Sequence, residues 1–192
     1  PTLSLGQQTQ QLQMSDFVLF SGAGGPGTSP AASPGYAVQL GSSSNINGGS
    51  IGSINLVKST GNLTIGGNIF SLGTIQLTNG NSVTGKIAAA NSSSVGGTIL
   101  SVGSNANIGN NIDVNGNIVV SGGVVSGKVT HPPGTTYTGP NPAGQDIIGT
   151  PSLPVFPALP PVTTFAPYNS ASSDITSTQI IGPGAHNSIK LS

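Results

Sequence analysis

Asp113, Asn115 and Asn117 set three oxygen donors at alternate positions of DVNGN, the spacing of the first half of a calcium loop. A complete loop would need glycine where Ile118 stands and a closing glutamate, and the chain contains no glutamate. The solvent side of a strand produces the same alternation. These three residues are the metal candidate, with a plain strand as the competing reading. The remaining carboxylates, Asp16, Asp146 and Asp174, are scattered, so spacing places no pair for general acid and base work on a glycosidic bond. His131 lies beside Pro132 at a compositional boundary and His186 lies in the tail, where surface positions are expected. Serine is abundant, but its one G-x-S-x-G match, Gly48-Gly49-Ser50-Ile51-Gly52, leads into no helical pattern, so no nucleophile elbow is assigned. No catalytic residue and no cofactor site is assigned, and the chain is read as not an enzyme.

The scarcity of reactive groups extends to charge. Only 4% of the 192 residues are charged, against roughly 25% in an average globular domain. Lys58, Lys86, Lys128 and Lys190 balance the four aspartates to a net charge of zero, so no basic stripe can neutralise phosphates and nucleic acid is not an expected partner. Solubility must rest on Ser, Thr, Asn and Gly, a surface suited to salty or extracellular settings. With no cysteine there is neither a disulfide framework nor a thiolate metal site. No run of 18 apolar residues occurs to form a membrane-spanning helix, and membrane insertion is not expected. The opening at Pro1, without methionine or an apolar leader, fits a processed or excised piece of a longer exported protein.

Proline divides the chain. It is absent from Gly35 through His131 and then occurs ten times between Pro132 and Pro167. Because proline cannot donate to a sheet ladder, 35–131 is the expected body, preceded by a cap at 1–34 and followed by a proline-rich segment at 132–167. Within the body an apolar, Gly or Asn, apolar motif recurs: Ile46 to Ile51, Ile65 to Ile69, Val83 to Ile87, Val95 to Ile99, Ile108 to Ile112 and Val125 to Val129. Starts at 46, 65, 83, 108 and 125 give a repeat of about 18 residues. Each copy reads as strand, corner, strand, with Gly48, Gly67, Gly85, Gly97, Gly116 and Gly127 at corners that can take positive φ. A unit this small cannot bury its own apolar side. Stacking units about 4.8 Å apart in parallel ladders buries a continuous Ile and Val column, which predicts an all-β parallel β-helix, or β-solenoid.

Several finer expectations follow. Asn45, Asn68, Asn81, Asn107 and Asn117 are candidates for amide ladders along the axis. Residues 6–17 could form a capping helix or an extended capping strand, while Ala88 to Ala90 is too short for a helix. Val155, Phe156, Leu159, Val162 and Phe165 suggest that the proline-rich segment covers a solenoid face, and 168–192 reads as the start of a further coil. Tyr36, Tyr137 and Tyr168 are too few for a sugar-stacking platform. Thr64, Thr74, Thr84 and Thr98 fall at irregular offsets, which leaves ice binding a minor alternative.

The stretches "FVLFSGAG", "VQLGSSSNINGGSIGS", "GNLTIGGNIFSLGTIQL" and "PSLPVFPALPPVTTF" give the chain a further character. It resembles the N-terminal region of large secreted surface proteins of Bacteroidetes, which often end in a sorting domain for the type 9 secretion system tied to gliding motility. More loosely it is similar to the polymer-forming bactofilin β-helices. The resemblance implies an exported cell-surface or matrix β-helix with adhesive or structural duty, whose partners would be itself or other surface and secretion-system proteins. An extracellular filament or sheath subunit assembling end to end is the second reading, and a polysaccharide-active β-helix the third.

Overall fold

The computed structural model describes residues 9–22, 37–91 and 97–157. Val95, Tyr36, Tyr168, Asp174, His186, Leu159, Val162, Phe165 and the segment 168–192 lie outside them. One turn of the chain is built from Ser44–Ile46, Ser50–Ser53 and Leu56–Ser59, and the next from Leu63–Ile65, Ile69–Ser71 and Thr74–Leu77. Every strand pairs in parallel with its counterparts in the neighbouring turns, giving three sheets of five, seven and six strands around a shared interior. The protein is a parallel β-solenoid.

Register shows why the repeat produces this fold. Ile51 pairs with Ile69, Ile69 with Ile87, Ile87 with Ile112, and Ile112 with Val129, all in the seven-stranded sheet. The five-stranded sheet stacks Ile46, Ile65, Val83, Ile108 and Val125. The six-stranded sheet stacks Val57, Ile75, Leu100 and Ile118. These aliphatic residues, all β-branched but Leu100, alternate with outward-facing ones, so each returns to the interior on every turn. Ile51, Ile65, Ile69, Val83, Ile87, Ile99, Ile108, Ile112, Val125 and Val129 are buried in one core, each worth roughly 1.5–3 kcal/mol in water exclusion. Ile46, in the first strand of its sheet, is half-buried against that core.

The corner glycines serve a purpose other than the expected one. Of those singled out, Gly48 has a positive φ of 77°. Gly67, Gly85, Gly116 and Gly127 do not; a Cβ on Gly67 would lie 1.7 Å from the Gly49 carbonyl oxygen, and one on Gly85 would lie 2.4 Å from that of Gly67. Clearance from the next coil, rather than left-handed backbone, demands glycine there. At Gly116 the obstruction is the Ile99 side chain.

Asparagines also bridge coils differently than expected. Asn68 Oδ1 accepts from the Lys86 amide at 2.8 Å, Asn111 Oδ1 from Lys128 at 2.9 Å, and Asn117 Oδ1 from Thr136 at 2.8 Å. Each amide thus grips the backbone one turn on instead of stacking on another asparagine. Asn45 and Asn107 do share an outward row, but Thr64 and Ser82 separate them. Asn81 is buried and donates to the Thr78 carbonyl. Truncating Asn68 to alanine is expected to cost about 1 kcal/mol in urea denaturation by leaving the Lys86 amide without this acceptor.

The ladder does not stop at His131. Tyr137–Thr138 extends the six-stranded sheet and Asp146–Ile148 the seven-stranded one, so the first part of the proline-rich segment forms a coil of its own. Its prolines sit in the turns, as at Pro132 and Pro140, where no ladder donor is required. The chain then runs back over the seven-stranded sheet: Leu153–Val155 pairs in parallel with Thr9–Gln11. This two-stranded strap covers Phe70 and Ala88, which point outward yet are buried together with Leu12. Phe156, Phe17 and Phe20 interlock there, with centroids 5.6 Å and 5.3 Å from Phe156. Ala88 therefore belongs to a strand, Ile87–Ala89, whose small side chains let the strap approach. At the N-terminal end, 9–17 is strand and a three-residue 3-10 turn instead of a helix, and Phe17–Ser21 is itself a strand of the seven-stranded sheet.

Candidate functional site

The few chemistry-bearing side chains gather in two places. The first lies beneath the strap. Asp113 stands on the outward row of the seven-stranded sheet between Ala88 and Thr130, and its Oδ2 is 3.0 Å from Lys86 Nζ. Both groups also hold one residue of the strap: Ser152 N–H donates to Asp113 Oδ1 at 3.0 Å, and Lys86 Nζ donates to the Ser152 carbonyl at 3.0 Å. The ion pair, nine-tenths buried on the aspartate side, thus presents an acceptor and a donor to the strap as a neighbouring strand would. A cleft of about 430 Å³ opens beside it, lined by Lys86, Lys128, Asn111, Thr130, Thr150 and Ser152 among others.

This arrangement overturns the calcium reading. Asp113 belongs to the latch, Asn115 Nδ2 donates to the Asn91 carbonyl at 3.2 Å, and Asn117 Oδ1 accepts from Thr136. Asp113 and Asn117 lie on different sheets, so the three do not converge on one ion. Replacing Asp113 with alanine strips Ser152 N–H and Lys86 Nζ of their partner. The expected loss is about 1–3 kcal/mol, with faster amide exchange across 151–156 than elsewhere.

The second cluster lies in the last coil of the described residues. His131 is 2% exposed, contrary to the surface position expected for it, because its strand Val129–His131 is followed by one more turn. Its Nδ1 lies 2.9 Å from Thr135 Oγ1, whose hydroxyl donates to the Pro132 carbonyl at 2.7 Å. Its Nε2 is 3.2 Å from Asp146 Oδ1. In the last described coil Asp146 continues the Ile112 and Val129 column, and Tyr137 continues that of Ile118. Burial, and behind it the negative charge of Asp146, push the Tyr137 hydroxyl up from 10.0 to about 12.

A tyrosine with a raised folded pKa favours the native state in its neutral form. That contribution is complete below pH about 10 and is lost as pH climbs through about 12. Absorbance titration at 295 nm is therefore expected to show one of the three tyrosines ionising late, together with loss of native structure.

Neither cluster was legible as a site in the sequence. Lys86 carried one signal, a charge in a nearly charge-free body, and His131 became a buried residue only through Thr135 and Asp146 in the coil beyond it. Thr135 is no nucleophile in waiting, since its proton already bonds a carbonyl. Asp113 faces Lys86 and Asp146 faces His131, so the two aspartates form no acid and base pair. A second, more open cleft of about 460 Å³ lies on the outside of the six-stranded sheet, lined by Lys58, Gln76, Thr78, Thr98, Ser101 and Val119 among others. No protein-family model, curated protein or solved structure matches the chain.

Proposed function

We propose that the protein is a non-catalytic structural or adhesive element of the cell surface or extracellular matrix, of the kind its sequence resembles in the secreted surface proteins of Bacteroidetes. One observation carries this reading: among the described residues, the side chains of Lys86, Asp113, His131 and Asp146 are drawn into contacts that hold strap to sheet or coil to coil. Outside the latch and the end cluster, the described sheets present outward rows in which Lys58 is the one charged group. Gln39, Lys58, Gln76, Ser101, Val119 and Thr138 form such a row on the six-stranded sheet. Asn45, Thr64, Ser82, Asn107 and Val124 form one on the five-stranded sheet. Rows spaced about 4.8 Å apart offer many weak hydrogen bonds to an extended polymer or a neighbouring surface. They mix residue types, so the regular threonine rank expected of an ice-binding face is not their pattern.

Antibody labelling of intact producing cells tests the reading: the protein is expected to be reached without permeabilisation. Labelling confined to permeabilised cells would refute it.

A further inference from the structure

Asparagine is followed by glycine three times in the chain, at Asn47, Asn79 and Asn115. Such a pair is chemically vulnerable, because the glycine nitrogen has no Cβ beside it and can approach the preceding side-chain carbon. The approach also needs a side chain free to turn and an amide free to leave its hydrogen bond. The three pairs meet those conditions very differently.

Two of them are held. Asn79 Oδ1 accepts from the Ser104 amide at 2.9 Å, and the Gly80 N–H donates to the Ser104 carbonyl at 2.8 Å. Attack there would break both bonds at once. Asn115 Nδ2 donates to the Asn91 carbonyl at 3.2 Å, and Gly116 is buried between the Asn115 and Asn117 amides, which donate to the Ala89 and Gly97 carbonyls. Neither side chain nor main chain can turn at that corner. Asn47 follows Ser44–Ile46, the first strand of the five-stranded sheet, and it is exposed. Among the described residues its side chain has no hydrogen-bond partner, and no group accepts the Gly48 N–H. Gly48 has a φ of 77° and nothing within 4 Å of the place a Cβ would occupy. Both reacting groups are therefore unrestrained and open to water.

We infer that Asn47 is a site of spontaneous deamidation. The Gly48 nitrogen gives its proton to hydroxide and its electron pair attacks Asn47 Cγ; the Cγ–Nδ2 bond then breaks and the side-chain nitrogen leaves as ammonia. Water opens the resulting five-membered succinimide at either carbonyl, giving aspartate or isoaspartate. One water is consumed and one ammonia released, with no oxidant or further reactant. Each event adds a negative charge to a chain whose formal net charge is zero. The isoaspartate product also lengthens the main chain just before the buried strand Ser50–Ser53, at a corner where the Gly49 carbonyl already sits against Gly67. The protein thus acquires a charge that accumulates with its age, and the first coil bears the consequence. This inference is independent of the surface role proposed above.

Storage of the full chain in mildly alkaline buffer, followed by mass spectrometry with electron-based fragmentation, tests it. A gain of about 1 Da should appear at Asn47 roughly tenfold faster than at Asn79 or Asn115, as both aspartate and isoaspartate. In concentrated urea the three sites should react at similar rates, which separates the effect of the fold from that of the sequence. Asn47→Gln, whose longer side chain would have to close a six-membered ring, should lack the early acidic form. Asn79 or Asn115 reacting as fast as Asn47 in the folded protein, or an early acidic form that persists in Asn47→Gln, would overturn the proposal.

Discussion

Gly67→Ala is expected to destabilise the solenoid by about 3–5 kcal/mol, as much as emptying a core position. The added methyl would sit 1.7 Å from the Gly49 carbonyl oxygen and 2.5 Å from its carbon, both backbone atoms that cannot swing aside. The coils would have to separate at that corner, where the Gly67 carbonyl also accepts from the Gly85 amide at 3.1 Å. Gly41→Ala supplies the contrast. A Cβ there meets nothing within 4 Å and its φ is ordinary, so stability should stay within about 0.5 kcal/mol of the parent. Urea midpoints at constant m-value measure both. Equal effects at the two positions would mean that coil-to-coil clearance is not what selects glycine at the corner.

Ile112→Ala is the second large effect. Ile112 is fully buried, with Ile87 before it and Val129 after it in the same column. Truncation removes contacts on both sides, and the ladders keep neighbouring coils from closing the gap, so a loss of about 2–5 kcal/mol is expected. Val124→Ala removes similar carbon from the adjacent sheet, but Val124 is 57% exposed on the outward row. Its cost should stay within about 0.5 kcal/mol. The pair checks the alternation itself, since a one-residue slip in register would exchange the two outcomes.

The interior columns could be read from the sequence because each depends on a local pattern: a β-branched residue, a corner, another β-branched residue. What failed was non-local. The reason for Gly67 lies in Gly49, a full turn earlier, and conformational preference alone suggested positive φ. Ala88 looked helix-friendly because the strap that requires a small residue there arrives from Leu153–Val155. His131 looked like a boundary residue because proline density marked an end, although strands can form between the prolines when each proline falls in a turn. The DVNGN alternation does not lie on one strand, since it crosses a bend at Asn115 and Gly116 from Ile112–Val114 to Asn117–Val120, and the lysine that claims Asp113 comes from the preceding coil.

The same non-locality explains how so few charges suffice. Lys86 and Asp113 are placed where the strap must be gripped, and Asp146 beside His131 in the last described coil. Elsewhere backbone ladders, buried Ile and Val, and asparagine bonds to the next coil carry the structure.

Parallel stacking with every turn in register is most directly tested by a distance across several turns. Cysteines introduced at Asn45 and Val124, the two ends of the outward row on the five-stranded sheet, would be the only thiols in the chain. Four ladder spacings separate them, so electron–electron dipolar spectroscopy on spin labels should give a narrow distribution centred at about 19 Å. A broad distribution near 50 Å, as expected for a flexible chain of that length, or any narrow one well beyond 30 Å, would contradict the solenoid.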